Sequence, residues 1–217
     1  MKLFVDGSDF DKIRKFSEIG LIDGVTTNPS IILKSGKNMI EVISELASLT
    51  SGSVSAEVSA LDSNKMIEEG IKLSEIAKNV TVKLPITWDG LAACNSLSKR
   101  GISVNMTLCF SASQAILAAK AGAEFVSPFI GRLDDLNLEG IDLISDIKLI
   151  YSNYKFPTKI LAASIRTINH VKQCALLGAD VATIPIDVFE KLVKHPLTDS
   201  GLSQFTTDWQ KTGQSII

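Results

Sequence analysis

Arginine is scarce in this 217-residue chain: Arg14, Arg100, Arg132 and Arg166 are the whole set, so the position of each is informative. Basic surplus is also lacking. Twenty-two Lys and Arg face 24 Asp and Glu, a net charge of -2, which excludes a nucleic-acid backbone as partner and leaves no acidic excess pointing to disorder. The three cysteines (Cys94, Cys109 and Cys174) are odd in number and have no Cys-x-x-Cys spacing. Neither a disulfide framework nor a conventional zinc cluster is expected, and a reducing compartment is. No run approaches the ~18 apolar residues of a membrane span. Asp6 interrupts the first apolar stretch too early for the apolar core of a signal peptide. The Asn-x-Thr patterns at Asn79 and Asn105 are therefore read as chance, and the expectation is a soluble, cytoplasmic globular protein. Its length suits one large domain or two small ones, and without a linker or low-complexity tract a single domain over 1–217 is expected.

What is present is alternation. Short β-rich runs occur at 2–6, 24–28, 53–59, 80–86, 103–108, 125–130, 159–164 and 181–186. Stretches with helical apolar spacing lie between them, such as 64–78, 90–99, 111–121, 141–151 and 167–177. Gly20, Gly101, Gly122 and Gly178 stand where left-handed helix ends are expected. Eight strand–helix units read as a (β/α)8 TIM barrel. The runner-up, an open doubly wound sheet, would need a Gly-x-Gly-x-x-Gly turn, and Gly7-Ser8-Asp9-Phe10 lacks it. Phe205 and Trp209 predict an extra C-terminal helix over about 202–212. Its apolar stripe would pack on the barrel or on a neighbouring subunit.

Strand parity separates two faces. Val80, Val82, Leu84 and Ile86 form a steady apolar set that leaves Lys83 facing the barrel interior. The same counting turns Glu57, Asn105 and Thr107 inward, pairs Asp6 with Phe4, Asn28 with Thr26, and Ser127 with Phe129. On the seventh strand both faces are apolar and parity decides little, though it sets Ser164 with Ile160 and Ala162. Desolvation disfavours a charged lysine, and an uncharged amine attacks ketones to form a Schiff base. Asp6 and Glu57 would shuttle protons. Lys83 with Glu57 also reads as a structural ion pair, and Asp6 as a helix cap. Convergence of Asp6, Asn28, Glu57, Lys83, Asn105 and Thr107 from five consecutive strands, near the C-terminal ends where barrel active sites lie, favours chemistry.

Two of the four arginines, Arg132 and Arg166, follow the sixth and seventh strands. Each alone reads as a surface ion-pair former, but together at one rim, with the Ser164 hydroxyl, they suit an anionic ligand. His170 and His195 have no partner at metal-ligand spacing and read as surface or helix residues. The cysteines read as core fillers, with Cys109 near the site in sequence, and Trp88 as packing.

Gly24-Val-Thr-Thr-Asn-Pro-Ser30, Val82-Lys-Leu-Pro85, Asn105-Met-Thr107, Ser127-Pro-Phe-Ile-Gly-Arg132 and Ala162-Ala-Ser-Ile-Arg166 recur in order along the whole length. In these strings the chain resembles the small-subunit transaldolase family, which also contains fructose-6-phosphate aldolases. The resemblance implies that Lys83 is the Schiff-base lysine and Asp6 the base for the C4 hydroxyl. Glu57 with Thr107 would hold the water that shuttles protons. Asn28, Asn105 and Ser127 would bind the dihydroxyacetone unit, with Phe129 as an apolar wall. Arg132, Ser164 and Arg166 would hold the phosphate. Aldolase members carry Gln in place of Glu57 and Tyr in place of Phe129, so the present pair follows the transaldolase pattern. One departure stands beside Asp6, where Gly7-Ser8 replaces the common Thr-Ala and would loosen the first loop. The implied substrates are sugar phosphates and the implied assembly is a ring, a decamer or pentamer. No metal or organic cofactor is expected, because the lysine itself is the electron sink. The alternatives are a fructose-6-phosphate aldolase and an inactive sugar-phosphate-binding barrel.

Overall fold

The computed structural model describes all 217 residues. The chain runs β1 (Lys2–Asp6), α1 (Phe10–Glu18), β2 (Gly24–Thr26), α2 (Pro29–Ser35), α3 (Met39–Leu49), β3 (Ser53–Glu57) and α4 (Ser63–Ser74). It continues through β4 (Val80–Pro85), α5 (Trp88–Lys99), β5 (Val104–Cys109), α6 (Ala112–Lys120), β6 (Phe125–Pro128), α7 (Ile130–Asp134) and α8 (Gly140–Tyr154). Then come β7 (Lys159–Ala162), α9 (Ile168–Leu176), β8 (Val181–Pro185), α10 (Ile186–Phe189) and α11 (Pro196–Thr212). All eight strands are parallel, each pairs with the next, and β1 closes on β8 from Lys2↔Val181 to Asp6↔Pro185. This is a (β/α)8 barrel with a C-terminal helix. No helix is long and apolar enough to cross a membrane.

Parity explains the layers. Val5, Val54, Val82, Leu84, Val104, Met106, Val126, Ile160 and Ile184 point outward and share a core with Ile13, Ile43, Leu46, Leu97 and Ile147 of the helices. Within the barrel, Phe4, Phe125, Leu161 and Val181 form a separate apolar plug. A Cβ on Gly24 would lie 2.7 Å from the Phe4 ring, so only glycine lets that ring cross the interior. Toward the N-terminal end the space is filled by hydroxyls: Ser53 and Thr81 are 2.6 Å apart, and Ser103 donates to Glu124 at 2.6 Å. With its lower part filled, the barrel has room for a ligand only at the C-terminal rim. There Asp9, Asn28, Asp62, Thr87, Ser111 and Thr167 each cap the following helix with a side-chain acceptor.

Some boundaries differ from the sequence reading, for local reasons. β2 ends at Thr26 because Asn28 caps α2, with Pro29 at its first position. β7 ends at Ala162, and Ser164 follows in a left-handed turn at φ 58°. Gly20, Gly101, Gly122 and Gly178 take the expected positive φ, between 72° and 89°. The last helix starts at Pro196, six residues before the expected 202, because His195 caps it and Pro196 suits the first turn. It buries no residue on the barrel: Phe205 is 75% and Trp209 46% exposed.

Candidate active site

Lys83 lies between Val82 and Leu84, both wholly buried in the outer core, so its side chain can only enter the barrel. It is 5% exposed. Its Nζ is 2.9 Å from Glu57 Oε2 and donates to the Thr27 carbonyl at 3.0 Å. Glu57 is the in-register partner of Lys83 across β3 and β4, and Asn105 is its partner across β4 and β5. Three neighbouring strands therefore deliver a carboxylate, an amine and an amide at one height.

The neighbours are oriented by further hydrogen bonds. Asn105 Nδ2 donates to Ser55 Oγ at 3.3 Å, and Asn105 Oδ1 accepts from Ser127 Oγ at 2.8 Å. Asn28 Oδ1 is committed to Ile31 N–H at 3.0 Å, leaving its amide nitrogen for the cavity. Thr107 Oγ1 is the one buried side-chain polar atom without a hydrogen-bond partner. Such an atom needs water or ligand to offset its desolvation. Asp6 is not a helix cap, since Asp9 fills that role. Its Oδ1 accepts from Thr26 Oγ1 at 2.7 Å. Burial pushes the Asp6 carboxyl above its ordinary value. The Thr26 bond and the Lys83 charge pull it down, and the Glu57 charge adds to the rise.

A cavity of about 260 Å³ opens here. Asp6, Asn28, Lys83, Ser127, Phe129, Arg132, Ser164 and Arg166 line it. Glu57 stands behind Lys83 and Asn105 behind Ser127. One reading is corrected: Ser164 does not share the face of Ile160 and Ala162, which belong to the outer core, whereas Leu161 joins the interior plug. Ser164 reaches the cavity only because its left-handed φ re-aims the chain after β7.

The two arginines meet through α7. Gly131 N–H donates to the Ser164 carbonyl at 3.0 Å, and a Cβ on Gly131 would lie 2.3 Å from that oxygen. Glycine thus allows the helix carrying Arg132 to dock on the loop carrying Arg166. The Arg132 guanidinium lies 5.0 Å over the Phe129 ring, which meets Phe110 edge-on at 5.6 Å. Arg166 Nη2 is 2.8 Å from Asp135 Oδ2.

Several residues differ from their sequence reading. His170 is a helix residue of α9, as read, but with partners the sequence did not show: its Nε2 is 3.3 Å from Asp134 Oδ2, and its Nδ1 accepts from Arg166 N–H at 3.4 Å, tying α7, which carries Arg132, to the segment that carries Arg166. Only its spacing of four from Arg166 hinted at this. Trp88 does not pack within the chain and is 80% exposed. Thr183, Pro185 and the Thr27 carbonyl were missed, because no sequence pattern marks a barrel seam or a backbone acceptor. Cys109 is fully buried, with its thiol pushed up to about 12 by desolvation, so it is no nucleophile near neutral pH.

A buried lysine paired with a carboxylate, beside a second carboxyl and a two-arginine rim, lies at the C-terminal face of a (β/α)8 barrel, the face on which enzymes of this fold carry their active sites. Residues 3–216 match the Transaldolase/Fructose-6-phosphate aldolase family, and the chain belongs to it. It is 63% identical over 217 residues to a probable transaldolase of Roseobacter denitrificans, with all of both chains covered. It is 61% identical over 218 residues to one of Parvibaculum lavamentivorans, again with full coverage of both. A third, from Dinoroseobacter shibae, is 60% identical over 217 residues and equally covered.

Proposed function

We propose that the enzyme moves a dihydroxyacetone unit from sedoheptulose 7-phosphate to glyceraldehyde 3-phosphate, giving erythrose 4-phosphate and fructose 6-phosphate. The observation that carries this reading is the buried Lys83 Nζ, 2.9 Å from Glu57 and opening on the same cavity as Asp6. Lys83 hands a proton to Glu57 and attacks C2 of the ketose. The carbinolamine loses water, with a proton returned from Glu57 and the leaving water held by the Thr107 hydroxyl, and a protonated imine results. Asp6 then takes the C4 hydroxyl proton, the C3–C4 bond breaks, and its electrons flow into the imine as an enamine. The first aldehyde departs, the acceptor enters, and the steps reverse. Asn28, Asn105 and Ser127 hold the three-carbon unit, while Arg132, Ser164 and Arg166 hold the phosphate. Borohydride reduction in the presence of fructose 6-phosphate should leave a three-carbon adduct on Lys83. An adduct on another lysine would overturn the assignment.

Phe129 supports transfer over simple aldol cleavage. Its ring is held by Phe110 and Arg132 and offers no hydroxyl to protonate the enamine. Phe129→Tyr should therefore raise release of free dihydroxyacetone from fructose 6-phosphate without an acceptor. Multiple-turnover release by the unmodified enzyme would favour the aldolase reading instead. At the other end of the cavity, Arg166→Ala should raise KM for phosphorylated donors roughly 10- to 100-fold, the worth of a charged hydrogen bond. Unphosphorylated donors should be nearly unaffected, and an equal rise for both would remove the arginine from the phosphate site.

The same reading places the chain in the cytoplasm, in the pentose phosphate pathway, as one domain over 1–217. It also includes a ring-forming homo-oligomer, a pentamer or decamer. Support comes from α11, whose Leu202 and Phe205 are exposed, and from an apolar groove of about 670 Å³ bordered by Leu3, Phe16, Ile19, Phe189 and Val193. Light scattering of the intact chain and of a Phe205→Asp variant tests it: a monomeric intact chain would end the idea.

A further inference from the structure

We propose that Thr183 and Thr26 form a one-way hydrogen-bond relay that holds Asp6 in the geometry of a general base, acting through Asp6 rather than on the substrate. The inference rests on the proposed function for the role of Asp6, but its geometry stands apart from that reading. Thr26 Oγ1 is 2.7 Å from Asp6 Oδ1 and 2.5 Å from Thr183 Oγ1. A threonine hydroxyl has one proton, and an ionised carboxylate accepts only. Thr26 must therefore spend its proton on Asp6, which leaves Thr183 as the donor to Thr26. The order is forced by counting protons.

The barrel seam makes this arrangement rigid. β1 pairs with both β2 and β8, Asp6 lies in register with Thr26, and Thr183 sits opposite Phe4. Thr26 is 3% and Thr183 4% exposed, so both side chains are held by packing at the floor of the cavity rather than turning in solvent. Both side chains are branched at Cβ and stiff. The charged groups facing Asp6 are Lys83 and Glu57, and they act in opposite senses; the Thr26 bond is the neutral contribution that favours the carboxylate.

The relay has a consequence for transfer. After Asp6 takes the C4 proton, Oδ1 still accepts from Thr26, so the acquired proton resides on Oδ2. It stays there, available to the incoming aldehyde oxygen, and the bond count is unchanged. Without Thr183, the Thr26 hydroxyl is free to turn and accept, and the proton can settle unproductively on Oδ1.

The test is the pH profile of kcat/KM for transfer in Thr26→Val, Thr183→Val and the matching serine variants, with borohydride trapping and thermal unfolding of each. Thr26→Val should move the acid limb upward by about one pH unit, the loss of one hydrogen bond to a charged group. Thr183→Val should move it in the same direction by less, although its side chain makes no bond to Asp6. Serine at either position should restore the original limb. If Thr26→Val does not fold, the Thr183 pair decides. A folded Thr183→Val enzyme that traps normally and keeps the original limb overturns the relay and leaves the proposed function intact. Failure of the unmodified enzyme to trap at Lys83 overturns both.

Discussion

Lys83→Met is expected to abolish both transfer and borohydride trapping, with a rate loss on the order of 10⁵- to 10⁶-fold, as for removal of a covalent nucleophile. No other amine lines the cavity, whose remaining cations are the guanidiniums of Arg132 and Arg166. The variant should also lose stability. The Lys83 and Glu57 side chains are 7% and 14% exposed, and removing one partner of a buried pair costs about 3–5 kcal/mol. These two effects can be separated. The double variant Lys83→Met with Glu57→Gln removes both charges of that pair, so it should regain much of the lost melting temperature while staying inactive. Mass spectrometry after reduction and a thermal melt read the two quantities independently. Recovery of activity along with stability would make the pair structural rather than chemical.

Asp6→Asn is the second large effect, and it should split the reaction. In the proposed mechanism imine formation uses Lys83 and Glu57 and not Asp6, so trapping should persist. Carbon–carbon cleavage in that mechanism uses Asp6 as the base, so kcat should fall about 10²- to 10⁴-fold. In the unmodified enzyme the base must be ionised, and burial holds Asp6 above the ordinary 3.8; the acid limb of kcat should therefore lie above that value. The stability consequence has the opposite sign to the usual carboxylate. A carboxyl raised on folding contributes stability that is complete below its unfolded pKa and is lost as pH rises through its folded pKa. At neutral pH Asp6 is thus a liability, and Asp6→Asn should melt higher than the unmodified protein. The difference should close as pH falls below 3.8. A lower melting temperature at pH 7 would show that the Lys83 charge, not burial, dominates at this carboxyl.

The site was partly legible before any coordinates because β-strand parity is a local property. Lys83 among Val80, Val82 and Leu84 is an inward lysine whatever else the chain does, and Glu57 and Asn105 follow by the same count. Parity failed at Ser164, where the strand ends and a left-handed residue breaks the two-residue period. It was equally silent on His170 and on the Thr183–Thr26–Asp6 contact. Those depend on which elements become neighbours, α7 with α9 in one case and β8 with β1 and β2 in the other. The helix start at Pro196 was missed for a simpler reason: the apolar stripe begins later than the cap that nucleates the helix.

Sequence alone determined the alternation of strands and helices, the inward amine and carboxylates, and the pairing of Arg132 with Arg166 at one end, since each follows from spacing along the chain. Only the tertiary structure decided which hydroxyl stands beside Asp6, how closely Nζ approaches Glu57, and that α11 finds no seat on its own barrel. Those are contacts across closure of the sheet, between residues as far apart as Thr26 and Thr183. No periodicity records a distance between segments that meet only when the first strand finds the last.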